Sequence, residues 1–328
     1  MSKNVNIKML VCAIVLAAAV VNVPAQPNGG GANGRGGFGG FGGGGGFGGG
    51  GGRGQQTPAG PPAYVPPEVA IPRPTADEMT RMNDDLKQFI ATSTDKDLFQ
   101  KWGSLVSIQM PRDNMAIRPV GGGVRGPRHQ AFVDIANTNE FDILFEGDSI
   151  TDWWQQQPGP QQQGGAEVFK KYFGDLKVAN FAVAGDTTQG LLWGLQNGEG
   201  QGHKPKAIML MIGTNNTGGN SGQEIAEGVG ADVAELRKDF PDAKILLLAI
   251  FPRGANNSDV NRVKNEVANK IIAKLDDGKH VFFMNINDKF LDQDGKMIGF
   301  RGDNLHPTAV GYEAWAAAVA PTLKSWIQ

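Results

Sequence analysis

The chain has 328 residues, 20% of them charged and 40% hydrophobic, with a formal net charge of −2. So even a balance of charge supplies no broad basic face for nucleic acid or an anionic membrane surface. A single cysteine excludes a disulfide framework.

The first 25 residues carry Lys3 and Lys8, an apolar run over 9–21, and Val23-Pro24-Ala25, the layout of a secretory signal peptide. The run is too short to cross a bilayer comfortably, so no stable membrane insertion is expected after cleavage. The expected location is exported: periplasmic, extracellular or cell-surface. Cys12, the only cysteine, lies inside this segment, so the mature chain would have no thiol nucleophile. Residues 26–74 read as a disordered linker, glycine-rich at first and proline-rich from Thr57. Glycine at such density has too little side chain to bury to offset its ordering entropy. Arg35-Gly36-Gly37-Phe38 is similar to arginine-glycine RNA-binding segments, but two arginines behind an export signal argue against that role.

Residues 75–127 read as a helical N-terminal extension. Thr75-Ala76-Asp77-Glu78 has capping-box spacing, followed by Met79, Met82, Leu86 and Ile90 on one helical face. Residues 98–106 suggest a second helical piece, and Gly121-Gly122-Gly123 breaks the chain. A further helix opens at Arg128 and ends near Asn137-Thr138-Asn139.

From Phe141 apolar runs alternate with helical patterns. Strands are expected over 141–146, 178–183, 207–212, 245–251 and 281–285. Helices are expected over 166–173, 189–195, 224–240, 260–275 and 308–327. Continuous apolar strands fit a parallel sheet covered on both faces. Residues 128–328 therefore predict one α/β domain, a three-layer α/β/α sandwich with a five-stranded parallel sheet.

In open parallel sheets the working loops follow the strands. Gly147-Asp148-Ser149 follows the first, Gly185-Asp186-Thr187 the second, Gly213-Thr214-Asn215 the third, and Pro252-Arg253-Gly254 the fourth. Asp303-Asn304-Leu305-His306 precedes the last helix. Serine hydrolysis needs a hydroxyl, a base and a group that orients the base. Of four histidines, His306 alone is expected at this edge, and Asp303, three residues earlier, can reach its Nδ1. Ser149 is then the candidate nucleophile. Oxyanion donors would be the Ser149 amide, the Gly185 amide and the Asn215 side chain. Taken alone, Gly185 reads better as a turn residue and Asn215 as a helix cap; together with Ser149 on one edge of the sheet they favour the oxyanion role.

Together these blocks resemble the SGNH, or GDSL-type, hydrolase family, whose four letters would be Ser149, Gly185, Asn215 and His306. Residues 180–188, 192–199 and 252–254 resemble, within that family, the catalytic subunits of brain-type platelet-activating factor acetylhydrolase and their secreted bacterial relatives. The resemblance covers roughly residues 128–328. It implies a flavodoxin-like sheet, Ser149 as nucleophile, His306 as base with Asp303, and an oxyanion hole of Ser149, Gly185 and Asn215. It also implies no metal and no organic cofactor, and the relatives' dimers point to a homodimer. The serine is not in a Gly-x-Ser-x-Gly elbow, because residue 151 is Thr. Glu146 departs from the apolar residue expected before Gly147, and would raise the negative potential near Ser149. Ile150 and Leu305 are expected to line a small acyl pocket, with Arg253 near the substrate. The expected partner is a small-molecule or carbohydrate ester, short-chain and acetyl first. A platelet-activating-factor-like or lysophospholipid ester is the alternative, and a non-catalytic carbohydrate- or surface-binding module the alternative of another class.

Overall fold

A computed structural model describes residues 55–94, 97, 101–102, 108, 110, 112–138, 140–155 and 164–328. The expected signal segment, the glycine-rich run up to residue 54, most of residues 98–106 and the glutamine-rich residues 156–163 lie outside the described residues. The chain divides into two units, each taken by itself.

The smaller unit holds helix α1, Ala76–Thr92. Its start is the expected capping box. Glu78 N–H donates to Thr75 Oγ1 at 3.2 Å, and Thr75 N–H donates to Glu78 Oε2 at 2.8 Å. Two of the amides that a helix leaves unpaired at its N-terminus are thereby satisfied.

The larger unit is built on five parallel strands: β1 Ile143–Gly147, β2 Val178–Asn180, β3 Ala207–Met211, β4 Lys244–Leu248 and β5 Val281–Met284. Their order is β2-β1-β3-β4-β5. Ile143 aligns with Val178 on one side and Ala207 on the other, Ala207 with Lys244, and Ile245 with Val281. This is the flavodoxin-like order, in which the chain reverses direction across the sheet at β1 and β3 and opens a crevice there. The helices of this unit are α2 Gly126–Thr138, α3 Ser149–Asp152, α4 Ala166–Phe173, α5 Thr188–Gly194, α6 Gly222–Asp239, α7 Val260–Ile272 and α8 Ala309–Ile327.

Strand side chains alternate between faces, and this alternation splits the core in two. Leu144, Ile208, Leu210, Ile245 and Leu247 pack with Phe132 of α2, Leu191 of α5, Val229 and Leu236 of α6 and Ile272 of α7. Ile143, Phe145, Met209, Met211, Leu246 and Leu248 pack with Ile150 of α3, Phe173 of α4 and Tyr312, Trp315 and Val319 of α8. The three-layer sandwich expected from the apolar runs is the observed one. β2 and β4 are shorter than expected. The ladder nevertheless continues past β2, since Phe181 N–H donates to Phe145 O at 2.9 Å and Val183 N–H to Gly147 O at 3.1 Å.

The larger unit starts well before residue 128, which corrects both the expected linker end at 74 and the expected domain start. It includes residues 55–71 and the described residues from Asp113 onward. Backbone N–H groups of Thr57, Gly60 and Ala63 donate to Gly121, Pro119 and Ile117 carbonyls at 3.1, 2.8 and 2.8 Å. Val69 is buried, and Ile71 N–H donates to Glu227 Oε1 on α6 at 2.8 Å. Main-chain pairing of this kind is available to any sequence with free N–H and C=O groups, so proline and glycine content did not reveal it.

Candidate active site

β1 ends in Gly147, and the chain turns at once into α3. A Cβ on Gly147 would lie 2.5 Å from both Met211 O and Thr151 Oγ1, so this close approach requires glycine. Asp148 caps α3, its Oδ1 accepting from Ile150 N–H at 3.0 Å. Tyr312 of α8 donates its hydroxyl to Ile150 O at 2.7 Å and so fastens α3 to the helix that follows His306.

Three of the expected residues form one hydrogen-bonded chain. Ser149 Oγ lies 2.9 Å from His306 Nε2, and His306 Nδ1 lies 2.8 Å from Asp303 Oδ2. The other Asp303 oxygen accepts from Leu305 N–H and His306 N–H, each at 3.0 Å. This clamp fixes the carboxylate against the ring and sets Nδ1 as its donor, which leaves Nε2 to accept from the Ser149 hydroxyl. Burial depresses the His306 pKa below its usual 6.5, with Asp303 pulling it partly back and Arg301 and Arg253 pushing it down. Burial pushes the Asp303 carboxyl up, but hydrogen bonds from the His306 side chain and the two backbone amides outweigh it and hold the group below the usual 3.8.

Gly185 follows β2 with φ of 84°, the left-handed region that glycine adopts at little cost. Because Val183 is tied to Gly147, Gly185 lies beside the β1 turn. Asn215 follows β3, and its Nδ2 donates to Asp186 O at 2.7 Å. A primary amide carries two N–H groups, so this bond orients the side chain and uses one of them. Arg253 Nη1 donates to Thr214 O at 2.9 Å and to Thr217 Oγ1 at 3.2 Å, and so braces the loop after β3. Ile150 corrects an expectation: it is 1% exposed and packs in the core beneath the site rather than against an open pocket. Leu305 is half-buried at the edge of the same cluster.

Glu146 does not bring a bare negative charge to the site. Arg125, 1% exposed, lies 3.4 Å from Glu146 Oε2, 2.6 Å from Asp186 Oδ2 by its Nε, and in ion-pair contact with Glu199. Glu199 also faces His129 Nδ1 at 2.6 Å. Burial, together with the Glu199 and Asp186 charges, still raises the Glu146 pKa against the pull of Arg125. Asp148 is pushed up to about 7, chiefly by burial.

Sequence reasoning missed three neighbours. Trp153 stacks on His306 with ring centroids 4.1 Å apart, and the Arg301 guanidinium lies 5.2 Å from the Trp153 ring. Asp152 accepts from Arg128 Nη1 at 2.6 Å and from Ala184 N–H at 3.1 Å, which steadies the turn into Gly185. The available signal was Asp152-Trp153-Trp154 directly after the serine turn, where one tryptophan, Trp154, is fully buried and the other is not. Among the described residues no group of three His, Cys, Asp or Glu side chains is arranged to hold a metal ion.

Residues 145–314 match the model of the GDSL-like lipase/acylhydrolase family. The chain is 33% identical over 187 residues to platelet-activating factor acetylhydrolase IB subunit alpha2 of Gallus gallus, covering 56% of this chain and 77% of the relative. The Homo sapiens protein of the same name is 34% identical over the same extent. A solved Streptococcus pneumonia structure bearing the name of a platelet activating factor superposes with a TM-score of 0.50. It is 24% identical and covers 61% of this chain and 92% of its own, a likeness of fold.

Proposed function

Taking as premise that the chain belongs to the GDSL-like lipase/acylhydrolase family and is an ester hydrolase, we propose that Ser149 is its nucleophile and an acetyl ester of a carbohydrate its substrate. The hydrogen-bonded chain Ser149–His306–Asp303 is the observation that carries this reading. His306 Nε2 takes the Ser149 proton as Oγ bonds to the ester carbon. Negative charge collects on the former carbonyl oxygen, facing the amides of Ser149 and Gly185 and the remaining N–H of Asn215. His306 then gives its proton to the departing alcohol. Water, deprotonated by His306, attacks the acyl-serine and releases the acid, returning the proton to Ser149.

An acetyl group is supported by the half-buried Leu305 next to His306 and by relatives whose name is acetylhydrolase. A carbohydrate alcohol is supported by the signal-like N-terminus, since exported enzymes meet glycans. The test is hydrolysis of p-nitrophenyl acetate and butyrate by the purified chain beside Ser149→Ala. Acetate turnover should exceed butyrate turnover, and the substitution should lower it by at least about 10³-fold. Activity that survives Ser149→Ala overturns the assignment.

A further inference from the structure

Beside Gly185 lies a cavity of about 350 Å³, bounded on one side by Gly185, Asp186 and Gln189 and on the other by Gln56, Met115 and Val124. The second wall is outside the family match, which begins at residue 145. It is nonetheless fastened to the site. Val120 N–H donates to Gln189 O at 3.0 Å, and Gly121 N–H donates to Thr57 Oγ1 at 2.8 Å. Val124 Cγ1 lies 3.5 Å from where a Gly185 Cβ would stand, and Gln56 Nε2 lies 3.4 Å from where a Gly123 Cβ would stand. The volume is at the low end of the about 300–1,000 Å³ typical of small-molecule sites.

The chemistry of the lining selects its occupant. The one carboxylate, Asp186, is buried and committed to Arg125 Nε and Thr187 N–H. No basic side chain lines the cavity among the described residues, so nothing there complements a phosphate. What remains is the Gln56 amide, the Thr187 hydroxyl and the Gln189 amide, whose Oε1 accepts from Asn216 Nδ2 at 2.8 Å and whose N–H groups are left to donate. Neutral donors and acceptors between glycine backbone and the apolar side chains of Met115, Val120 and Val124 suit a hydroxyl-rich ring. β1 stands between β2 and β3 in the sheet. Gly185, a proposed oxyanion donor, is part of the lining, and Gln189 there is bonded to Asn216 beside Asn215, so the cavity adjoins the carbonyl end of the site, whereas Leu305 comes from the loop before α8. The acyl and alcohol arms of an ester diverge from the carbonyl carbon, so an acyl group at Leu305 sends the alcohol toward Gly185.

We propose that this cavity is an alcohol-side subsite for a neutral sugar unit, and that Gln56 and the 115–124 segment, outside the residues the family model matches, set its specificity. The proposal rests on the reading of Ser149 as nucleophile and Gly185 as oxyanion donor. Its test compares kcat/KM of the full chain for an acetylated methyl glucoside and for ethyl acetate, in wild type, Gln56→Ala and Gln56→Trp. The alanine should lower the glucoside-to-ethyl ratio about 5–10-fold, the effect of one lost hydrogen bond. Tryptophan, which fills the space, should lower it further. Free methyl glucoside should inhibit wild type competitively and each variant more weakly. A ratio unchanged in both variants overturns the subsite while leaving the esterase reading intact. Absence of turnover of either ester overturns the esterase reading instead. Saturation-transfer NMR with methyl glucoside then still decides the subsite: a signal lost in Gln56→Trp supports it, and no signal with wild type overturns it.

Discussion

At the scale of single residues, His306 is held between two opposed effects. Burial lowers its pKa and Asp303 raises it, and burial wins. As the proposed base it must be neutral to accept the serine proton, so activity should fall only when pH drops through a value below the usual 6.5. The acid limb of kcat/KM against pH reports that value directly, and a limb centred above 6.5 would contradict it. Asp303→Asn removes both the pull on the pKa and the acceptor that sets the tautomer. It should cut kcat by up to about 10⁴-fold with a small effect on KM, measured with p-nitrophenyl acetate. Trp153 illustrates what a residue list omits. Its ring covers His306 and excludes water from one face, yet in sequence it is one of two adjacent tryptophans with no mark to tell them apart.

At the scale of elements, Arg125 joins pieces that the chain keeps far apart. It enters from just before α2 and meets the end of β1 through Glu146, the loop after β2 through Asp186, and the turn after α5 through Glu199. Asp186 in turn accepts the Asn215 side-chain amide on its backbone carbonyl, so the cluster underlies the loops after β2 and β3. Removing the only arginine among these buried carboxylates leaves their charge uncompensated in a low-dielectric interior. Arg125→Met should destabilise the fold by about 3–5 kcal/mol, read by urea unfolding; a loss under about 1 kcal/mol would mean the cluster is not coupled to stability. Glu227 plays a similar part for the N-terminal segments. It accepts from Ile71 N–H at 2.8 Å and from Asn114 Nδ2 at 2.9 Å, and so ties two stretches that read as linker and extension to α6.

At the scale of the whole molecule, the unusual feature is how much acid the larger unit buries. Glu146, Asp148, Asp186 and Asp232 all have pKa values raised chiefly by burial, Asp148 to about 7 from an ordinary 3.8. Between those two values the unfolded chain releases the Asp148 proton while the folded chain keeps it. The stability this group contributes is therefore full below pH 3.8 and lost as pH rises through about 7. Glu146 and Asp232 act in the same direction. Asp303, with its depressed pKa, works in the opposite sense but only at the acid end. Tm should fall from pH 5 to pH 8 in calorimetry, and Asp148→Asn, which keeps the cap on Ile150, should flatten the slope. A Tm that rises over that interval would refute the account.

The sequence by itself determined the sheet and the pieces of the site. Short apolar runs alternating with helical patterns fit strands buried on both faces of a parallel sheet, and the residues at their ends then share one edge; Ser149, Asp303 and His306 were legible because their chemistry depends on residue type and strand order. Tertiary structure decided what depends on packing between distant segments. Ile150 went to the core because α3 turns that side chain under the sheet. Glu146 was admitted to the interior because Arg125, 21 residues earlier, folds back to meet it. Residues 55–71 joined the larger unit largely through backbone hydrogen bonds to residues 117–121, which carry no side-chain signature, with Val69 and the Glu227 carboxylate holding its end. Local pattern records propensity and burial, whereas pairing across long loops is a property of the assembled chain.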